Sequence, residues 1–257
     1  MRGKVLLLRR GTLLLILTAL VAAGIFMAVG GPSFVSASAA KRQLPIYSVE
    51  REEKVCAISF DAAWGNEDTQ ALIDILCKYN VKATFFVVGD WVDKYPESVK
   101  ALHDAGHEVM NHSLHHDHYN ALTADQVVAD VTACNEKIAA ITGVTPCLIR
   151  CPYGEYDDHV ISAIRSMGME PIQWDVDSLD WKDYDAGTIC KRVRDKLAPG
   201  SIVLFHNAAL HTPEALPSVL EYMIQEGYTV VPIGQLIYWE NYTIDHTGRQ
   251  FPAEAAQ

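Results

Sequence analysis

Positive charge is scarce in this sequence: across 257 residues, 21 Lys and Arg face 32 Asp and Glu, a formal net charge of −11. A nucleic-acid binder needs a basic face to meet phosphates, so that class of function is excluded. GxGxxG and Walker loops are absent as well, which removes the usual backbone cradle for a nucleotide cofactor. No internal repeat or low-complexity tract is present. The six cysteines, at 56, 77, 134, 147, 151 and 190, are few for the length and show no CxxC spacing. They read as free thiols rather than a disulfide framework, with Cys56 and Cys77 in segments of core character. Hydrophobic residues at 49% and charged residues at 21% supply enough apolar matter for a folded core.

The N-terminus is a separate object. Residues 1–10 carry Arg2, Lys4, Arg9 and Arg10 without an acid, residues 12–29 carry no charge, and the sequence then turns small and polar. As a helix, 18 uncharged residues reach ~27 Å, close to the hydrocarbon thickness of a bilayer. Residues 1–40 therefore read as a signal peptide cut near Ala39 or Ala40, or as an uncleaved membrane anchor. The basic flank places the remainder outside the cytoplasm. Residues 41–53 read as a polar linker, 54–237 as the main domain, and 238–257 as a polar tail that straps the surface or frays.

From Lys54 onward, short apolar runs alternate with helical spacing. Runs fall at 55–59, 83–88, 108–113, 147–150, 170–177, 201–206 and 228–233. Helices are expected at 68–79, 96–105, 123–141, 157–167, 186–197 and 213–226. Runs that are apolar almost throughout suit strands covered on both faces. The pattern fits an α/β fold, a closed or nearly closed (β/α) barrel with about seven parallel strands; an open doubly wound sheet is the alternative.

The positions of the polar residues carry the functional signal. Five of the seven runs, all but the second and the last, end at Asp61, His112, Arg150, Asp177 and His206, with Asp180 three residues beyond Asp177. In parallel α/β folds the C-terminal strand ends share one face, where active sites are built. His112 and His116 have an i, i+4 spacing that suits two ligands of a divalent metal if the segment forms one turn. His115 and His118 are lesser candidates, and by periodicity His115 points away.

At these residues the chain resembles the NodB-like polysaccharide deacetylases, metal-dependent carbohydrate esterases that remove acetyl groups from glycans. The resemblance spans about residues 54–236. Five short motifs fall in order: Ser59-Phe60-Asp61, His112-Ser113-x-x-His116, Arg150-x-Pro152-Tyr153-Gly154, Asp177-x-x-Asp180-Trp181 and Leu204-x-His206. The wording FDAAWGNEDT and QWDVDSLDWK is most similar to the sporulation-associated, PdaB-like subgroup. The resemblance implies a cell-wall glycan substrate, with peptidoglycan foremost, and a divalent metal, zinc foremost, held by His112 and His116. It further implies Asp61 as general base, oriented by Arg150, and His206 as general acid, paired with Asp180. The Tyr153 backbone N–H would serve the oxyanion, and Trp181 and Leu204 would shape the acetyl and sugar pocket.

The chain departs from the family pattern at position 62. Ala62 stands where the family has the aspartate that is the third protein ligand of the metal, so binding should be weaker. Asp61 acting as both ligand and base, Glu67 or Asp68 swinging in, or water would compensate. Cys151, beside the third motif, is a possible packing change, adventitious ligand or oxidation site. Two other functions compete with a deacetylase. One is a degenerate deacetylase barrel that binds glycan without cutting it. The other is a glycosidase pairing Asp61 with Asp177 or Asp180.

Overall fold

The computed structural model describes Gly11 and residues 42–253. The expected leader or anchor at 1–40 therefore lies outside the described residues apart from Gly11. Among the described residues, no helix is long and apolar enough to cross a membrane.

Seven parallel strands form a distorted barrel. In chain order the main-sheet strands are β2 (Val55–Ala62), β3 (Thr84–Val87), β4 (Glu108–Asn111), β5 (Leu148–Ile149), β6 (Glu170–Pro171), β7 (Val176–Asp177) and β8 (Ile202–His206). β1 (Ser48–Val49) precedes them; β9 (Thr229–Val230), β10 (Tyr242–Ile244) and β11 (Arg249–Pro252) follow. The order across the sheet is β6-β5-β4-β3-β2-β8-β7, and β9 pairs with the start of β2. The main helices are α1 (Thr69–Lys78), α2 (Gly89–Lys94), α3 (Pro96–Asp104), α4 (Ala124–Thr142), α5 (Asp158–Ser166), α6 (Ala186–Lys196), α7 (Thr212–Gln225) and α8 (Ile233–Leu236). α4 starts at a capping box in which Thr123 and Gln126 satisfy each other's backbone N–H groups, and it stops at the left-handed Gly143.

A period of two decides which side chains reach the barrel interior. Cys56, Ile58, Phe60 and Ala62 of β2 join Phe85, Val87, Val203 and Phe205 in the apolar layer beneath the helices. The alternate positions face inward. Ala57, Phe86, Met110 and Ile202 fill the lower barrel with Ile233 and Leu236 of α8. Asp61 and His206, directly paired in the β2–β8 register, stand at its upper end. Ala62, one residue on, is buried with the helix-facing set.

Several expected boundaries change. The run 170–177 is two strands at opposite ends of the sheet, because the chain leaves β6 after Pro171. Asp175 then caps the start of β8, its carboxylate accepting from the Ser201 hydroxyl and the Ile202 N–H. The segment read as a polar linker belongs to the fold. Ile46 and Val49 are fully buried, Ile46 donates to the Pro171 carbonyl, and the Gln173 N–H donates to the Ile46 carbonyl. The chain from 46 to 49 thus fills the seam between β6 and β8. Gly200 allows this: at φ +79°, a Cβ there would fall 1.6 Å from the Val49 carbonyl oxygen. The tail as far as residue 253 is also part of the fold, since β10 and β11 pair with each other and β11 pairs with β1, burying Gln250. A mostly polar composition hid both segments, because backbone pairing with chain distant in sequence leaves no periodic pattern in them. All six cysteines are free; Cys56 is buried as expected, but Cys77 is exposed on α1.

Candidate active site

Arg150, Asp61 and His112 form the base of the site. Arg150 is fully buried and donates from Nη1 to Asp61 Oδ1 at 2.7 Å, and from Nη2 to the Ser59 hydroxyl and the Gln173 carbonyl at 3.0 and 3.1 Å. Its guanidinium lies 4.3 Å from the Phe86 ring centroid, an apolar floor that strengthens the ion pair. Burial opposes the charge on Asp61. The Arg150 charge, with lesser contributions from His112 and His206, outweighs it and holds the carboxyl below its ordinary range.

His112 Nδ1 lies 2.7 Å from the Arg150 carbonyl oxygen, which only accepts, so Nδ1 carries the proton. Its Nε2 lone pair then faces Asp61 Oδ2 at 3.6 Å. Burial pulls the His112 pKa down and outweighs the attraction of Asp61, keeping the ring neutral. A lone pair facing a carboxylate oxygen across this gap is an arrangement that a cation relieves.

His116 completes the pair by an unexpected route. The segment from 112 to 116 is no helical turn: Ser113 and His116 both adopt left-handed backbone angles, φ 73° and 60°. The Ser113 hydroxyl accepts from the His116 N–H, and the two imidazoles meet edge to face at 5.0 Å. Burial, then the neighbouring His112, lowers the His116 pKa to about 4, and its buried Nδ1 has no protein partner. Two neutral imidazoles with unused lone pairs suit a borderline divalent ion. The donor set is short, because no group of three or more His, Cys, Asp or Glu side chains is arranged to hold a metal among the described residues. Glu67 and Asp68 do not line the cavity. Glu67 accepts from the Asn66 N–H, and Asp68 from the Ala208 N–H. His115 and His118 turn aside to exposed pairings with Asp90 and Glu155.

On the adjacent strand β8, His206 Nδ1 lies 2.8 Å from Asp180 Oδ1. Asp180 is fully buried and also accepts from the N–H groups of His206 and Trp181 and from the Thr212 hydroxyl. Burial works against a charged His206, but the hydrogen bond and charge of Asp180 prevail and raise its pKa. A carboxylate on Nδ1 leaves Nε2 free to exchange a proton.

These groups surround a cavity of about 360 Å³ lined by Asp61, His112, His116, Tyr153, Asp177, Trp181, Leu204 and His206, with Ala63, Trp64, Gly154 and Trp174. Arg150 and Asp180 stand behind it, each holding a lining residue. Tyr153 has a left-handed backbone, φ 58°, and an exposed ring stacked on His118. Cys151 is buried in a separate apolar cluster with its thiol pushed up to about 12 by burial, which makes it neither ligand nor nucleophile. Ser59, Trp64, Gln173 and Trp174 fall inside the motif segments without a role assigned from sequence, and Thr212 carries no sequence signal at all.

The fold and cavity define a barrel protein whose strand ends set an ionised carboxylate against a carboxylate-backed imidazole, with two neutral imidazoles beside them. Comparison with known proteins narrows the class. The polysaccharide deacetylase family model matches residues 48–172. Over 200 residues, 75% of this chain and 74% of the relative, the sequence is 31% identical to the peptidoglycan-N-acetylmuramic acid deacetylase PdaA of Bacillus subtilis. It is 33% identical to the peptidoglycan-N-acetylmuramic acid deacetylase PdaC of the same organism over 74% of this chain, which spans 40% of that protein. The structure superposes on BA3943 of Bacillus anthracis, described as a CE4 family pseudoenzyme, with a TM-score of 0.73 and 34% identity, covering 75% of this chain and 68% of that one. The chain belongs to the polysaccharide deacetylase family.

Proposed function

We propose that the protein is a metal-dependent N-deacetylase of cell-wall glycan, peptidoglycan foremost, acting outside the cytoplasm. The carrying observation is the pairing, across one cavity, of an ionised Asp61 with a His206 whose pKa is raised. His112 and His116 would hold the divalent ion, zinc by their donor chemistry; when bound, it acidifies a water and polarises the acetamide carbonyl. Asp61, kept ionised by Arg150, takes the proton of the attacking water. The Tyr153 N–H would donate to the oxygen that gains charge. His206, charged with the help of Asp180, gives its proton to the departing sugar amine. Trp181 and Leu204 bound the acetyl group and the sugar face. The leader or anchor reading of residues 1–40 would place the domain at the cell surface, and the sporulation-type wording of the motifs would place its action on the spore wall.

A second reading rests on Ala62 and on the pseudoenzyme relative: a barrel that retains glycan but hydrolyses it weakly. Metal content and acetate release separate the two. Full-length protein, given zinc or chelator, is assayed on peptidoglycan and on chitin oligomers. Near-stoichiometric metal with chelator-sensitive acetate supports the deacetylase, and His112→Ala then abolishes both. Absence of metal and acetate in folded protein that still binds glycan sinks the catalytic reading and supports the second.

A further inference from the structure

Resting on the reading of this cavity as a glycan site, we infer that Trp64 is a sugar-stacking residue that holds a neighbouring unit of an N-acetylated amino-sugar chain. Trp64 lines the cavity yet is 65% exposed. Its indole meets the His116 ring edge to face at 5.0 Å, so it flanks the reacting centre on the metal-ligand side. Tyr153 and Trp181 line the same cavity from the loops after β5 and β7, whereas Trp64 comes from the loop after β2.

The exposed ring stands on a fixed backbone. Asn207 Nδ2 donates to the carbonyls of Trp64 and Gly65 at 2.8 and 3.0 Å, and Trp91 Nε1 donates to the Gly65 carbonyl at 2.6 Å. Gly65 has φ +58°, and a Cβ there would lie 2.5 Å from the Ala208 side chain. A large apolar face shown to water on a loop this tightly held is pre-organised for a ligand, since little ordering remains to be done on binding. A pyranose offers a matching partner, with a C–H face for the indole and a rim of hydroxyls that stay in water.

The test compares Trp64→Leu, which keeps apolar bulk without a ring, with Trp64→Phe, which keeps a ring face. Calorimetric titration of full-length protein uses tetra-N-acetylchitotetraose and, separately, soluble peptidoglycan glycan strands, with chelator present to remove any metal contribution. Thermal unfolding checks that each variant is folded. W64L is expected to weaken binding about tenfold, the equivalent of about 1.4 kcal/mol, and W64F to stay within about threefold of wild type. Trp239→Ala removes an exposed indole that bonds the Gly234 carbonyl outside the cavity lining, and should leave the affinity unchanged. A larger loss on one chain than on the other supports stacking and identifies the preferred source. Equal affinities for W64L and W64F overturn the inference, and if wild type still releases acetate the deacetylase reading stands. Wild-type protein that binds neither chain overturns the inference, and overturns the deacetylase reading as well if it also releases no acetate.

Discussion

At the scale of single residues, the site works by setting two titrating groups apart. Asp61 and His206 are neighbours across one register of the β2–β8 ladder, yet Arg150 lowers the pKa of the first and Asp180 raises that of the second. The carboxyl is held low and the imidazole high, which widens the pH range in which the anion and the cation coexist. On the proposed mechanism, activity should fall as pH rises through the elevated pKa of His206, because the general acid is then lost. Asp180→Asn removes the charge that raises this pKa while keeping a hydrogen-bonding side chain. The alkaline limb of kcat/KM should therefore move to lower pH, toward the ordinary histidine value of 6.5 or below it. A pH–rate profile reads the shift, and an unmoved limb would assign the acid role to another group. The peak rate should also drop, toward the roughly 10²–10⁴-fold that a general acid supplies.

At the scale of elements, the short strand near the N-terminus acts as a stave. Residues 46–49 sit between β6 and β8, and the Ile46 carbonyl accepts from the Gln173 N–H while the Gln173 carbonyl accepts from Arg150. That chain of bonds links the seam to the guanidinium that orients Asp61. A truncated chain starting at Arg51 loses two fully buried side chains, Ile46 and Val49, each contributing roughly 1.5–3 kcal/mol. Its urea midpoint should fall by the equivalent of more than about 3 kcal/mol relative to a chain starting at Gln43. Its kcat should fall further than its KM rises, because Arg150 loses a fixed acceptor. Equal midpoints would show that the seam closes without the stave.

At the scale of the whole molecule, apolar packing and hydrogen bonds position the side chains of the cavity. One apolar cluster runs beneath the helices and another fills the lower barrel. The imidazoles of His112 and His116 are oriented by the Arg150 carbonyl and by flanking aromatic rings. A donor set of two histidines adds little to such a fold, unlike a closed structural zinc site. Chelator should therefore lower Tm by less than about 4 °C, the shift expected from about 1 kcal/mol in a domain of this size. Scanning calorimetry with and without chelator checks this, and a drop beyond about 10 °C would make the metal structural.

Much of the architecture was legible because burial leaves a pattern in sequence. β2, β3, β4 and β8 are covered on both faces, so each reads as an apolar run, and α4 declares its ends through Thr123, Gln126 and Gly143. The polar residues at strand ends were legible for the same reason, since each interrupts an apolar run. The sequence by itself determined the alternation of strands and helices, the identities Asp61, His112, Arg150, Asp180 and His206, and the absence of a carboxylate at 62. Tertiary structure decided what depends on partners far along the chain. It alone made the segment at 46–49 a stave, divided 170–177 between two edges of the sheet, and folded the polar tail into a hairpin. It also brought His112 and His116 together through two left-handed residues and fixed Trp64 on a loop held by Trp91 and Asn207. These features rest on backbone hydrogen bonds and close approaches between segments distant in sequence, and such contacts leave no periodic trace in the residues that make them.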